Sequence, residues 1–285
     1  MRLTKLTLIF LLLFLTQTIT VFAQQPELEF NTLEALESLS DIKATTIIQD
    51  SNGYLWIGTQ EGLFRFDGQT VYTYLHEDND QNSLPSSKII KLFTDSRKNL
   101  WITTQEGLCR YDPEYDHFTS FVFEPSTYGA TSLYITIIAE DQAGQLYVAT
   151  EKTIYKFDPA QKKLSRVIDV KEGEINNFIF DVQNNIWIAS TADGGLHYFD
   201  QNTQQLIAFR NDPANKQSVS NQDITDIAFL KDKLWIGTYG MGIDCYDTRE
   251  KSFKHYITPY YYENYTTNFT IDSRKNVWVN TLGAL

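Results

Sequence analysis

The sequence predicts an all-β protein: a β-propeller of four-stranded antiparallel blades, five complete repeats plus a partial sixth. Three observations predict it. A phrase of the form D-x-x-G-x-L-W-I-G-T-x-x-G-L-x-x-F-D recurs along the chain. One aromatic anchors each copy: Trp56, Trp101, Tyr147, Trp187, Trp235 and Trp278. Successive anchors lie 45, 46, 40, 48 and 43 positions apart by subtraction, and a period in the forties with one aromatic per unit marks a propeller.

Each unit reads as four strands. The first is an apolar run, such as Ile89 to Phe93 or Ile224 to Phe229. An Asp-x-x-Gly/Asn turn follows, as at Asp50 to Gly53 and Asp141 to Gly144; Asp and Asn bond back to the main chain and Gly accepts positive φ. The second strand surrounds the anchor, as in Leu55-Trp56-Ile57. A tight turn leads to the third, Gly62 to Phe66 or Gly107 to Tyr111, which runs up to Asp67, Asp112, Asp158, Asp200 or Asp247. The fourth is more polar, as at Val71 to Leu75 and Phe118 to Phe123. Apolar residues on both faces of the middle strands fit sheets stacked face to face.

The two ends read differently. Arg2 and Lys5 precede an apolar run from Leu6 to Leu15, and Val21-Phe22-Ala23 makes a cleavage site. Residues 1–23 are therefore expected to be a signal peptide, and 24–285 the propeller. Removing Arg2 and Lys5 leaves 22 basic and 36 acidic residues, so the net charge moves from -12 to -14. Leu28 to Asn31 has no blade of its own, and Leu33 to Leu39 is read as the approach to the first strand. The sixth unit stops at Gly283-Ala284-Leu285. The chain is accordingly expected to be the N-terminal part of a longer protein, with a frayed edge from residue 272.

Composition excludes several classes. Aromatics make up 14% of the chain, far too many for general disorder. The acidic balance argues against a general nucleic-acid binder. Cys109 and Cys245 stand 136 positions and three units apart, too far to bridge, and read as small buried hydrophobes.

The repeated phrase resembles the two-component regulator propeller repeat, and Asp50 to Asp67 matches it almost letter for letter. Ser83-Leu84-Pro85 and Ser218-Val219-Ser220 resemble that family's connectors before an inner strand. The third unit departs, with Tyr147 for Trp and Glu151-Lys152-Thr153 for the glycine turn, and the fifth lacks its leading Asp. The resemblance implies the N-terminal part of a seven-bladed propeller in the periplasmic sensor region of a hybrid two-component system, with further blades and a histidine kinase downstream. It also implies a homodimer in the parent protein and a glycan fragment as ligand.

No residue pattern supports catalysis. The phosphate-cradling Gly-rich loop, the helical two-His zinc motif and the Gly-x-Ser-x-Gly elbow are all absent from the sequence. His76, His117, His197 and His255 are expected at the surface, on outer strands or loop edges. Asp78 to Ser83 alternates oxygen-bearing side chains, but Ser83 stands where a calcium loop needs Gly and Ile89 where it needs a carboxylate. It is read as a solvated loop, and no metal or cofactor is expected.

Two loop sets face one end of the channel: those from an outer strand to the next inner strand, and those joining second and third strands. They nominate Gln60, Glu61, Gln105, Glu106, Tyr128, Asp193, Tyr239 and Tyr260 as ligand-binding residues, because rings stack on sugar faces and polar groups bond hydroxyls. Tyr134, Asn211, Asn221, Tyr261, Tyr262, Tyr265, Glu151, Lys152 and Met241 share these loops, and Tyr260 to Tyr262 could instead form an edge strand. The expected function is a periplasmic ligand-sensing propeller without catalysis. The alternatives are a secreted polysaccharide lyase or hydrolase, or a structural dimerisation module.

Overall fold

The computed structural model describes residues 42–128 and 133–283. Signal peptide 1–23, the segment Leu28 to Asn31 and the approach Leu33 to Leu39 lie outside the described residues. The first sheet holds β1 (Ala44–Gln49), β2 (Leu55–Thr59), β3 (Leu63–Phe66) and β4 (Val71–Tyr74). The second holds β5 (Ile89–Thr94), β6 (Leu100–Thr104), β7 (Gly107–Asp112) and β8 (His117–Phe121). The third holds β9 (Ile137–Glu140), β10 (Leu146–Ala149), β11 (Thr153–Asp158) and β12 (Lys163–Asp169). The fourth holds β13 (Glu174–Phe180), β14 (Ile186–Thr191), β15 (Gly195–Asp200) and β16 (Gln205–Phe209). The fifth holds β17 (Ile224–Leu230), β18 (Lys233–Thr238), β19 (Ile243–Asp247) and β20 (Ser252–Tyr256). β21 (Thr266–Ile271) and β22 (Val277–Thr281) pair as a two-stranded sheet.

Every sheet is an antiparallel meander in sequence order. The first strands pack in succession, β1 on β5, β5 on β9, β9 on β13, β13 on β17 and β17 on β21, so they form the inner layer. Second strands carry the core: every residue of β6 and β10 is buried. The outer β16 is largely exposed. Among the described residues the helical content is two short 3-10 turns, Pro125–Tyr128 and Tyr261–Asn264. None of their helices is long and apolar enough to cross a membrane.

The recurring Asp has two tasks. Asp95 Oδ1 accepts the amides of Arg97 and Asn99 at 3.0 and 2.8 Å, closing the turn. Its Oδ2 accepts the Trp101 indole N–H at 2.9 Å. Asp50 does the same for Trp56 at 2.9 Å and Asp272 for Trp278 at 3.0 Å. The six-residue spacing from Asp to Trp thus joins turn to core. In the fourth unit Asp181 Oδ2 instead accepts from Asn185, and the fifth has no such Asp; the Nε1 atoms of Trp187 and Trp235 are buried without a partner.

The recurring Thr locks the next turn. Thr59, Thr104 and Thr238 donate through Oγ1 to the carbonyls of Gly62, Gly107 and Gly242 at 2.9, 2.9 and 2.7 Å. The glycine before two of these threonines serves packing. A Cβ on Gly58 would stand 2.6 Å from Ile89 Cγ2, and one on Gly237 2.6 Å from Thr266 Cγ2. Only a residue without a side chain lets the next inner strand come this close.

Neighbouring sheets meet through the anchors. Trp56 lies against Tyr74 and Tyr111, with ring centroids 5.6 and 4.6 Å apart. Arg65, opposite Trp56 in the β2–β3 ladder, fills the rest of that seam. Its guanidinium stands 5.5 Å from the Trp56 ring centre and 4.6 Å from that of Tyr72. It donates to Tyr111 Oη at 2.5 Å and to Asp116 Oδ1 at 3.1 Å. Trp56, Trp101, Tyr147 and Trp187 are buried. Trp278 is 48% exposed, because β22 lacks an outer neighbour among the described residues.

Cys109 and Cys245 are free and buried. One histidine differs from expectation: His197 is 3% exposed rather than at the surface. On β15, a middle strand covered on both faces, it pairs with Ile188 of β14. Burial, then the nearby Arg210 charge, pushes its pKa down to about 4.

Candidate functional site

The meander order fixes which loops meet. The β2–β3 type turns and the connectors between sheets lie at one end, and the two remaining turn sets at the other. Backbone bonds tie the first two sets together: Gln105 N donates to Lys88 O at 3.0 Å, Gly195 N to Gln222 O at 2.7 Å and Tyr239 N to Asp223 O at 3.0 Å.

Two connectors share one design. Ser83 Oγ accepts the Glu77 amide at 3.0 Å, and Ser218 Oγ accepts the Asp212 amide at 2.9 Å. The next residue, Leu84 or Val219, is buried as a plug. Asp78 to Ser83 is a turn in which Asp80 Oδ1 accepts the Asn82 amide at 2.9 Å. Among the described residues no group of three or more His, Cys, Asp or Glu is placed to hold a metal ion.

A histidine fastens the second of these connectors. His255 Nδ1 lies 2.6 Å from the buried Asp244 Oδ1, and Nε2 lies 3.0 Å from the Lys216 carbonyl. Both partners are acceptors, so the imidazolium satisfies both. Burial opposes that charge, but the bonds to Asp244 and Lys216 and the Asp244 charge together raise the pKa above 6.5. A raised folded-state pKa means the contribution is complete below 6.5 and is lost as pH rises through the folded value. We expect the Tm of His255→Gln to fall below wild type at acidic pH, and the gap to close above that window. A gap independent of pH would show that the ring acts only by packing.

The nominated residues fall into distinct settings. Gln60, Glu61, Gln105 and Glu106 are on exposed turn tips or next to them, with the Glu61 and Glu106 amides donating to Thr59 and Thr104 Oγ1 at 3.0 and 3.3 Å. Tyr128 is half-buried, its ring 5.9 Å from that of Tyr155 and its Oη accepting the Leu164 amide at 3.3 Å. Exposed Asp193 donates its amide to Asp223 Oδ1 at 3.0 Å and accepts from Arg210 through its carbonyl. The Asn221 amide donates to Tyr239 O at 2.7 Å, and the Asn211 amide to Val219 O at 2.8 Å. These amides are therefore taken up by loop carbonyls.

Tyr239 belongs to an aromatic cluster with Tyr261, Tyr262 and Tyr265, and Tyr260 precedes it in the chain. Tyr239 stands edge-on to Tyr265 at 4.7 Å. Tyr261 contacts Tyr265 at 5.1 Å and Tyr262 at 5.3 Å, and the Tyr261 and Tyr265 hydroxyls bond each other. Tyr239, Tyr260, Tyr261 and Tyr262 are 55 to 66% exposed. The Tyr260 to Tyr262 run forms no edge strand. Its 3-10 turn is closed by Asn264, whose Oδ1 accepts from Thr258 N and whose Nδ2 donates to Tyr260 O.

Comparison with known proteins agrees with this architecture. Residues 38–61 match the family model described as two component regulator propeller. That match falls on the first of the recurring units. Histidine kinase P4 of Formosa agariphila is 34% identical over 73 residues, 26% of this chain and 5% of that kinase. The extracellular domain of a proposed hybrid two-component system of B. thetaiotaomicron superposes with a TM-score of 0.58 at 23% identity. That match covers 86% of this chain and 39% of the other. Virginiamycin B lyase of Staphylococcus aureus superposes with a TM-score of 0.65 at 13% identity, covering 87% and 80%. The chain thus spans a small part of the kinase and well under half of the B. thetaiotaomicron domain.

Proposed function

We propose that this chain is the exported, periplasmic ligand-sensing propeller of a two-component signalling protein, binding an oligosaccharide fragment at the loop end and catalysing nothing. The observation that carries this reading is the cluster of Tyr239, Tyr261, Tyr262 and Tyr265, with exposed Tyr260 next to it in the chain. Aromatic faces of this kind stack on the apolar faces of sugar rings, and their hydroxyls bond sugar hydroxyls. The family repeat and the kinase relative support a signalling role. In the longer parent, further blades and a kinase would follow, and two propellers would pair. A polysaccharide lyase or hydrolase would instead need an acid and a base converging at the mouth.

The test is a titration of oligosaccharide fragments against the purified protein, with the ligand recovered and weighed by mass spectrometry. We expect saturable binding, an unchanged ligand, and affinity about tenfold weaker in Tyr261→Ala. Cleaved ligand would establish an enzyme, and unaltered affinity in the variant would place the ligand elsewhere.

A further inference from the structure

The seam between the fourth and fifth sheets repeats the frame of the first seam but reverses its charge. Trp187 stacks on Phe209 at 5.7 Å and 23°, as Trp56 stacks on Tyr74 at 5.6 Å and 27°. Tyr246 stands 5.5 Å from Trp187, in the place Tyr111 holds beside Trp56. Two positions differ. Tyr198 is opposite Trp187 where Arg65 is opposite Trp56. Lys251 follows Tyr246 by five residues where Asp116 follows Tyr111 by five, both at positive φ, 53° and 52°.

Beside this seam, at the end of the propeller opposite the tyrosine cluster, lies a cavity of about 890 Å³. Trp187, Tyr198, Phe209, Phe229 and Tyr246 line it. Trp187 is 4% exposed and its Nε1–H has no acceptor. Lys231, Lys251 and Arg249 stand at the rim with Asp181 and Asp232. Asp232 is paired with Arg249 at 2.7 Å. Asp181 accepts from the turn amides of Gln183 and Asn185 at 2.9 Å each. Lys231 and Lys251 form no ion pair among the described residues, so the uncompensated charge at this rim is positive.

We propose that this cavity is a binding site for a small carboxylate that carries a ring, distinct from the mouth and independent of the oligosaccharide reading. In the first seam a planar cation fills the aromatic frame and an aspartate neutralises it. Here the Tyr198 ring, 4.8 Å from that of Trp187, stands in the cation's place, the protein supplies cations at the rim, and the indole N–H lacks an acceptor. Complementarity then calls for a flat or ring-shaped group lying in the cavity against its aromatic lining, with its anionic group toward Lys231 and Lys251. A hexuronic acid and an aromatic acid both meet this description.

The probes are D-glucuronate and benzoate, with D-glucose and benzyl alcohol as their neutral counterparts, followed through the indole N–H resonances in proton–nitrogen correlation spectra. Trp187→Phe assigns the resonance. We expect one or both acids to shift the Trp187 signal saturably, with Kd of about 1 mM or tighter, and the neutral partner to bind at least about tenfold more weakly. Response to D-glucuronate alone identifies a sugar acid, and response to benzoate alone an aromatic acid. Lys251→Glu, at an exposed turn, should weaken binding by about tenfold. Tyr198→Arg combined with Lys251→Asp should rebuild the first seam's ion pair, raise Tm and abolish binding. No saturable shift with either acid, equal binding of the neutral compounds, or undiminished binding in Lys251→Glu would each overturn the proposal.

Discussion

Trp101→Ala is expected to destabilise the protein by about 3–5 kcal/mol, lowering Tm by roughly 10 °C. Trp101 is 1% exposed and lies at the seam between the second and third sheets, 5.6 Å from both Phe121 and Phe157. Its removal opens a cavity between two sheets that cannot close independently. It also takes the indole from Asp95, itself 5% exposed. Trp101→Phe separates the two effects, since it keeps most of the packing and loses only the bond, at about 1 kcal/mol. Thermal unfolding of both variants checks this. A Tm for Trp101→Ala within a degree or so of wild type would mean that the seam does not depend on its anchor.

The second large effect is expected from Arg65→Met, at roughly 2–3 kcal/mol in denaturant unfolding. Methionine retains the apolar stem but not the planar fork. The change removes the stacking on Trp56 and Tyr72 and the bonds to Tyr111 and Asp116. Tyr74 and Tyr111 still donate to Asp116 at 2.7 and 2.6 Å, which limits the loss. The Asp116 side chain is 53% exposed, so part of the effect should be screened by salt. A loss below about 0.5 kcal/mol would show that the guanidinium merely occupies space.

What could be read in the sequence was what repeats. Asp six residues before Trp, Thr three or four before Gly, and a connector Ser followed by a buried Leu84 or Val219 recur because several blades solve the same local problem. The strands accordingly fall close to where they were expected, as β5 at Ile89–Thr94 and β17 at Ile224–Leu230 show. Tasks set by the neighbouring sheet were hidden. Gly58 lies within a strand, β2, and makes room for Ile89 of the next sheet. His197 looks like an outer-strand residue but lies under two faces.

The seams had a readable signal that the repeat itself obscured. The residue opposite each anchor is Arg65, Arg110 and Lys156 in the first three sheets, then Tyr198 and Cys245. The change from cation to neutral side chain coincides with the two unpartnered indoles, Trp187 and Trp235. At the mouth, the aromatic residues were visible but their grouping was not. Tyr239 meets Tyr265 across two different loop types, and such contacts have no period to reveal them.

The most direct test of the sensing account is amide hydrogen exchange of the protein with and without a bound oligosaccharide fragment, read by mass spectrometry. The account predicts slower exchange in the segments 239–242 and 258–266, which carry the tyrosine cluster, with the turns at 181–185 and 248–251 unchanged. Protection confined to those turns, or to neither region while the ligand is consumed, would contradict it.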